Sequence, residues 1–296
     1  MLPDFKINRR IPEARQVDFI SSPDWPKVQE LYQEYEPWKQ ALTNGEILAH
    51  TAIEYSIILF SHGFQARGEG NYGIAAMTIW RPGVRVDADG KITLRPADEK
   101  LRLPEIAVFK PELANKFVEM MVIGHNSLFR QKKSNGHAER QSAEKTANIW
   151  LHIPDENVDS YMAELETKDE LTFREAPDIT PGVGLVTTLE PCPGCSEMII
   201  TAGYDWVLSL NEDKSHGALH PDRIGGLGSG WLELAEKSGI NILFSQEDDT
   251  ANQMTYLPKN LATLVARLFF ETRTELDAKI GEGGVFKQIP GVKQKP

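Results

Sequence analysis

Short apolar segments that alternate with helical ones are the feature that most limits the folds open to this chain. Three of them, at Phe117–Ile123, Val183–Leu189 and Ile240–Phe244, have the length of strands and are followed by turn or polar residues. The second is a nearly continuous run of apolar and β-branched residues, which is typical of a strand buried on both faces. Because strands and helices alternate along the chain, we predict an α/β sandwich.

The other elements are predicted from the spacing of apolar residues and from turn residues. Further strands are predicted at Tyr72–Trp80 and Trp206–Leu210, and a small hairpin at 84–94. The predicted helices are two between Asp24 and Phe64, interrupted at Pro37 and at Asn44-Gly45, and others at 137–150, 155–167, 191–202, 231–237 and 261–280.

Composition and charge narrow the class of protein. Hydrophobic residues make up 41% and charged residues 25% of the chain, as in ordinary globular domains. The longest apolar run, Ser56–Phe60, is much shorter than a signal peptide core or a membrane-spanning helix, so we expect a cytoplasmic protein with no membrane partner. Most of the net charge of -11 falls in residues 117–296, which argues against a nucleic acid as the main partner.

Two cysteines, Cys192 and Cys195, stand in a C-x-x-C spacing at the start of a predicted helix. Two cysteines cannot form a disulfide framework in a chain of 296 residues, so the spacing indicates a metal site or a redox pair. The free N–H groups and the positive end of the helix favour thiolates at this position.

His137 and Glu139 complete a set that suits a catalytic metal. A catalytic zinc ion takes three protein ligands and leaves one position open, and His137, Cys192 and Cys195 would supply the three. Glu139, two residues beyond the histidine, would then move the proton of a water molecule. The set predicts Zn²⁺ as the cofactor and a hydrolytic reaction.

Two other interpretations of these residues stay open. A Cys-x-x-Cys pair next to a strand and a helix also fits a thioredoxin-like redox site, which would leave His137 and Glu139 unexplained. A structural zinc site would need a fourth ligand, and because the chain has no third cysteine, a histidine would have to supply it. The available histidines are His125, His152, His216 and His220.

Two short motifs, His137-Ala138-Glu139 and Pro191-Cys192-Pro193-Gly194-Cys195, resemble those of the cytidine deaminase-like zinc deaminases. The order of elements is similar too, since a strand, the Asn126 loop, the His-Ala-Glu helix, a strand, the Pro-Cys-x-x-Cys helix and a strand occur within 117–210. The helix predicted before the last strand resembles the branch that contains the tRNA adenosine, guanine, deoxycytidylate and riboflavin-pathway deaminases.

The resemblance implies a three-layer α/β/α cytidine deaminase-like fold with a mixed five-stranded sheet, whose last strand runs parallel to its neighbour. It implies a hydrolase that acts on C–N bonds of cyclic amidines, with the three zinc ligands and the catalytic glutamate named above. It also implies Asn126 and Pro191 as substrate-binding residues. Family members often assemble, so a homo-oligomer is compatible with the resemblance.

Other residues could contact a substrate. Arg130, Lys132 and Lys133 could hold a substrate phosphate, although a short run of charge is more often a solvated loop. His216 and His220 follow a predicted strand, where they either contact the substrate or cap the sheet.

We predict three regions in the chain. They are an N-terminal helical extension at 1–44, a zinc deaminase domain at 45–280 with insertions at about 84–116 and 151–181, and a tail at 281–296. The extension carries several aromatic residues at helical spacing, which favours packing in the core over stacking on bases. These residues are Trp25, Tyr32, Tyr35 and Trp38.

The sequence therefore predicts a deaminase that releases ammonia from a nucleobase-type ring in a free base, nucleoside or nucleotide. One alternative is a deaminase of RNA, tRNA or a single-stranded nucleic acid, which would need a basic track and aromatic platforms beside the metal. Another is a non-catalytic, zinc-stabilised interaction protein. The pattern does not distinguish a cytosine, adenine or guanine ring.

Overall fold

A mixed sheet lies between layers of helices in the computed structural model, which describes residues 24–81, 84–86, 92–94, 118–129, 136–151, 158–175, 182–221, 227–245 and 255–281. The strands are β1 (Ala75–Arg81), β2 (Val84–Val86), β3 (Ile92–Leu94), β4 (Val118–His125), β5 (Leu171–Glu175), β6 (Gly182–Thr187), β7 (Trp206–Ser209) and β8 (Asn241–Phe244). The helices are α1 (Trp25–Thr43), α2 (Ala52–Gly68), α3 (Ala138–Leu151), α4 (Val158–Thr167), α5 (Pro193–Ala202), α6 (Leu227–Lys237), α7 (Lys259–Phe270) and α8 (Thr274–Gly281).

The sheet has the strand order β5-β4-β1-β6-β7-β8. Strand β1 pairs antiparallel with both β4 and β6, and β5 pairs antiparallel with β4. Strands β6, β7 and β8 are parallel to one another, so the prediction of a parallel last strand is confirmed. Strands β2 and β3 form the predicted hairpin as a separate pair.

Residues of β1 alternate between the two faces of the sheet, and each face packs on its own helices. Met77 and Ile79 belong to a core cluster that also contains residues of α1, α2 and α7. Ala76 points to the opposite cluster, which contains residues of α3, α5 and α6. The predicted α/β class with three layers is therefore confirmed.

The sheet has six strands, so the prediction of five is wrong by one. The added strand, β5, lies within the segment 151–181 that sequence analysis treated as an insertion. Leu171 is buried and Phe173 is partly buried in the core at this edge of the sheet. Arg174 of the same strand is also buried, where it pairs with two glutamates. Leu171 and Phe173 do alternate with polar residues, but two apolar residues in a strand of five are too few to distinguish a strand from a loop.

The long helix predicted at 261–280 is two helices, α7 and α8, which are separated at residues 271–273. The hydroxyl of Thr272 donates a hydrogen bond to the carbonyl of Leu268, one turn earlier. Such a bond competes with the regular backbone ladder and favours a helix end. Asp277 of α8 lines the cavity described below.

Helix α1 packs against α2 and α7 in one shared core. Tyr35 is buried there, and its hydroxyl donates to the carbonyl of Ile57 at 2.8 Å. The other three aromatic residues, Trp25, Tyr32 and Trp38, pack against the same cluster, as expected. Pro37 lies inside α1 rather than interrupting it, at the cost of one backbone hydrogen bond. The domain boundary at residue 44 stays a prediction.

Among the described residues, none of the helices combines the length and the apolar character that crossing a bilayer requires. Most of the predicted insertion at 84–116 and nearly all of the predicted tail, 282–296, lie outside the described residues.

Candidate metal centre and cavity

The first turns of α3 and α5 meet at one end of the sheet. His137 directly precedes α3, and Cys192 is the N-cap residue of α5. Arg140 Nη2 of α3 donates to the carbonyl of Gly194 in α5 at 2.7 Å, which ties the two helix starts together. Helix α3 can approach β4 because a Cβ atom at Gly124 would lie only 2.3 Å from the backbone of α3.

The two helix starts bring three metal-donor residues together. The donor atoms of His137, Cys192 and Cys195 all lie within 4.8 Å of one another. Cys192 Sγ is 3.7 Å from His137 Nδ1 and 3.5 Å from Cys195 Sγ. Two sulfurs bound to one tetrahedral zinc ion at about 2.3 Å would be ~3.8 Å apart. The spacing therefore fits a metal ion, which these three residues could hold.

Glu139 lies beside the donor atoms in the first turn of α3. Its side chain is 5% exposed, and its Oε2 atom is 3.5 Å from Cys195 Sγ. Burial and then the negative charge of Cys192 raise the pKa of Glu139 to about 7, although His137 opposes the shift. A carboxyl group with this pKa can both accept and donate a proton near neutral pH.

The pKa values of the two cysteine thiols shift in opposite directions. The hydrogen bond from Cys195 and that from His137 lower the pKa of Cys192 to about 4, against the effect of burial. The pairing with Cys192, followed by burial, raises the pKa of the Cys195 thiol. The bond to Cys192 also raises the pKa of His137. Two sulfurs this close cannot both ionise unless a cation neutralises them.

A cavity of about 410 Å³ opens onto these residues, a size that suits a small organic ligand. His137, Glu139 and Cys192 form one part of its lining, and three apolar side chains form another. The apolar residues are Ile74, Leu128 and Leu189. Two residues of the metal-donor cluster, a buried carboxyl group and an apolar wall therefore share one cavity.

Asn126 directly follows the end of β4 and lines the same cavity. Its backbone N–H donates to the carbonyl of Ile74 at 2.9 Å, and its side-chain Oδ1 accepts from the N–H of Leu128 at 3.2 Å. Within the described part of the chain, no residue accepts a hydrogen bond from its amide NH₂ group. That group is available to donate to a ligand.

Glu190, which sequence analysis passed over, holds one wall of the cavity in place. Its Oε1 atom accepts from the N–H groups of Leu219 at 2.7 Å and His220 at 2.8 Å, and its Oε2 atom accepts from that of Asp213 at 3.0 Å. These bonds fix the loop that brings Asp213 and His216 into the cavity lining. A buried acid directly after a buried strand was the only signal for this role.

A second wall that sequence analysis missed comes from residues distant along the chain. Tyr72, just before β1, lines the cavity together with Phe269, Arg273 and Asp277 near the C-terminal end of the described chain. No local motif marks these positions, because only the packing of α7 and α8 brings them to the cavity.

The other residues predicted to contact a substrate are not part of the described cavity lining. Pro191 is buried next to the cavity but is not part of its described lining, and its carbonyl accepts from the N–H of Ala218 at 3.0 Å. Arg130, Lys132 and Lys133 lie outside the described residues. Their suggested phosphate contact stays a prediction.

Three of the histidines considered as a fourth metal ligand, His125, His216 and His220, do not join the cluster. In the ranges that the structure describes, only three metal donors come together at this point. His216 lines the cavity with a 72% exposed side chain, His220 packs against a phenylalanine ring, and His125 lies within 3.6 Å of two glutamates. His152 is outside the described residues.

No family model and no curated protein matches this sequence. Solved structures match at low similarity. A tRNA deaminase studied for A-to-I editing at the wobble position of transfer RNA is 13% identical, over 64% of this chain and 94% of its own, with a TM-score of 0.28. Guanine deaminase from Nitrosomonas europaea is 15% identical over 66% and 72%, with a TM-score of 0.29. A dCMP deaminase from cyanophage S-TIM5 is 14% identical over 58% and 79%, with a TM-score of 0.21.

Proposed function

We propose that this protein is a zinc-dependent hydrolytic deaminase that removes an amino group from a nucleobase-type ring. The observation that carries the proposal is a buried carboxyl group, Glu139, beside three clustered metal-donor residues, two of which line the same cavity as Glu139. A redox pair or a structural metal site does not need such a carboxyl group. Hydrolysis does, because protons must move from water to the leaving group.

Zinc is the metal that best suits the donor set. Thiolate sulfur and imidazole nitrogen favour Zn²⁺ over Mg²⁺ and Ca²⁺, which prefer oxygen ligands. Three protein ligands next to a cavity leave a fourth position open, as in catalytic rather than structural sites. We therefore assign Zn²⁺ to His137, Cys192 and Cys195.

A zinc ion held there would supply Lewis acidity, which makes water a usable nucleophile near neutral pH. Glu139 takes a proton from the attacking water and gives it to the ring nitrogen beside the amine-bearing carbon. The same carboxyl group then moves the second proton, from the added hydroxyl to the amine. The new carbon–oxygen bond becomes a ring carbonyl, the carbon–nitrogen bond breaks, and ammonia leaves.

The rest of the cavity suits a flat, polar ring. Ile74, Leu128 and Leu189 offer apolar surface for the faces and edges of such a ring. The NH₂ group of Asn126, which has no acceptor among the described residues, donates to an acceptor on the ring and so fixes the orientation of the amine toward Glu139. In this proposal Asn126 positions the substrate and Glu139 moves the protons.

A small substrate is favoured over a nucleic acid. The described lining contains the acidic residues Glu139, Glu190, Asp213 and Asp277 but a single arginine, Arg273. A nucleic acid backbone gains most of its affinity from several Lys and Arg contacts to phosphates, and no basic track of that kind lines the cavity among the described residues.

The test is ammonia release by the zinc-loaded protein with a panel of bases, nucleosides, nucleoside monophosphates and short RNAs. We expect ammonia from a compound in the first three groups, loss of the activity when a chelator removes the metal, and its return when zinc is added back. Silence across the panel at full zinc occupancy would overturn the proposal.

The same panel separates the alternatives. Ammonia from RNA at a much higher kcat/KM than from any small compound would favour a nucleic acid deaminase. Reduction of a disulfide substrate by the metal-free protein, without ammonia from any compound, would favour a redox role for Cys192 and Cys195.

A further inference from the structure

Four residues form what we call the outer wall of the cavity: Tyr72, Phe269, Arg273 and Asp277. The Tyr72 hydroxyl donates to Asp277 Oδ1 at 2.8 Å, and Arg273 Nε lies 3.1 Å from Asp277 Oδ2. The Tyr72 ring also packs on Phe269, with ring centroids 5.5 Å apart. Both oxygens of the Asp277 carboxylate are therefore taken by neighbours within the wall.

The guanidinium group of Arg273 lies against two aromatic rings. It lies 4.8 Å from the centroid of the Phe269 ring and 5.3 Å from that of Phe270. Stacking covers the flat face of a guanidinium group and leaves its N–H edge free to donate. Only Nε is engaged, by Asp277, and within the described residues nothing pairs with the two terminal nitrogens.

Two other acidic residues of the described lining, Asp213 and Glu190, already accept hydrogen bonds from protein donors. Asp213 Oδ1 accepts from the N–H groups of Ser215 at 3.0 Å and His216 at 3.1 Å. Glu190 accepts from three backbone N–H groups of the same loop. What the outer part of the cavity offers a ligand is therefore a donor, namely the free edge of Arg273.

We propose that Arg273 binds the phosphate of a nucleoside monophosphate whose base reaches Glu139. This rests on the proposed function and narrows its substrate to a mononucleotide. A planar guanidinium edge with two free nitrogens matches two oxygens of a phosphate. The cavity of about 410 Å³ has room beyond a single ring, and Arg273 shares its lining with His137 and Cys192.

One arginine suits one phosphate. A nucleic acid strand presents a series of phosphates, which a single arginine among carboxylates cannot neutralise. The net charge of the whole chain, -11, also opposes a long polyanion.

The experiment measures binding to the Glu139→Gln protein, which keeps the cavity but does not consume the ligand. For the cytosine, adenine and guanine series, calorimetry compares the free base, the nucleoside and the nucleoside 5′-monophosphate at constant ionic strength, with a short RNA as a further ligand. The variants are Arg273→Gln and Arg273→Lys, each placed on the Glu139→Gln background. Arg267→Gln, at a surface arginine of α7 outside this cavity, is the matched control, and a thermal melt of each protein checks folding.

We expect one monophosphate to bind about tenfold or more tightly than its nucleoside. Arg273→Gln should remove that advantage without weakening the nucleoside, Arg273→Lys should keep part of it, and Arg267→Gln should keep all of it. Equal binding of nucleoside and monophosphate, equal weakening of both by Arg273→Gln, tighter binding of RNA, or no binding of any monophosphate would overturn the inference. Ammonia release by the wild-type protein is measured separately, so a failure of the proposed function is seen independently of these affinities.

Discussion

Glu119 and Glu139 are both buried glutamates, but they lie near opposite ends of β4 and in contrasting surroundings. Glu119, at the start of β4, accepts hydrogen bonds from Arg81 Nε and from Arg174 Nε, the latter at 2.7 Å. Burial opposes its ionisation, yet His50, Arg174 and Arg81 outweigh burial and lower the pKa of Glu119 to about 2. Glu139 has no such arginine among the described residues, and burial raises its pKa to about 7.

The difference separates a group that holds the fold from a group available for chemistry. Glu119 joins β1, β4 and β5 through its two arginines, and Arg174 also reaches Glu54 of α2 at 2.6 Å. Its charge is fully used in this ion cluster. Glu139 faces a cavity and sulfur atoms, so its proton can be exchanged at little structural cost.

The largest effect is expected from removal of a metal donor. Cys195→Ala should abolish zinc retention and reduce ammonia release to background, because two remaining ligands hold zinc poorly. Elemental analysis and the ammonia assay on the same sample check this. Chelation of the wild-type protein should lower its free energy of unfolding by about 3 kcal/mol or more, by loss of a tightly bound ligand. A fully active, zinc-loaded Cys195→Ala protein would contradict the assignment.

The second largest effect is expected on stability, at Glu119 near the start of β4. Glu119→Gln should lower the free energy of unfolding at pH 7 by about 3 to 5 kcal/mol, because it leaves buried arginine charge uncompensated. Denaturant titration measures this. Glu164→Gln, on the exposed face of α4, is the control and should change stability little. A change at Glu119 as small as that at Glu164 would contradict a structural role.

The pH dependence of stability tests the same structural role of the Glu119 carboxylate. Because the pKa of Glu119 is lower in the folded state than in the unfolded chain, its stabilisation is present above about pH 4.5 and is lost as the pH falls toward about 2. The contribution is on the order of 3 kcal/mol. The stability gap between the wild type and Glu119→Gln should therefore narrow over this range in pH-dependent denaturation. A gap that stays constant would show that the carboxylate charge does not matter.

The smallest effect is expected at Asn126. Asn126→Ala should reduce kcat/KM about 10- to 100-fold, because the substrate ring loses one oriented hydrogen bond and the Leu128 N–H loses its acceptor. Steady-state kinetics with the active substrate checks this, alongside a thermal melt. Unchanged kcat/KM in a folded protein would mean that Asn126 only shapes the loop.

The clustering of His137, Glu139, Cys192 and Cys195 could be predicted from the sequence because these residues occupy local positions that follow simple rules. His137 and Cys192 stand at helix starts, and the spacing of Cys195 and Glu139 from them is fixed by the first helical turn. Strand and helix patterns also sufficed for the layers of the fold. Local sequence patterns were sufficient for these features because each residue is positioned by the helix or strand to which it belongs.

The outer wall and β5 could not be predicted in this way. Tyr72 and Asp277 are 205 residues apart, and their contact depends on the packing of α7 against α1 and α2 and of Phe269 on the Tyr72 ring. Strand β5 contains Arg174, which reads as an exposed residue until the glutamates that bury it are known. In both cases the deciding partners are distant along the chain, so no local pattern carries the information.

The central claim is that Glu139 moves protons while the metal donors hold zinc, and one measurement tests it most directly. Zinc content and ammonia release are determined on the same samples of wild type, Glu139→Gln and Glu144→Gln, the last at an exposed glutamate of α3. We predict that all three keep zinc, that Glu144→Gln keeps its activity, and that Glu139→Gln loses about a thousandfold in rate. A Glu139→Gln protein that holds zinc and releases ammonia at the wild-type rate would contradict the account.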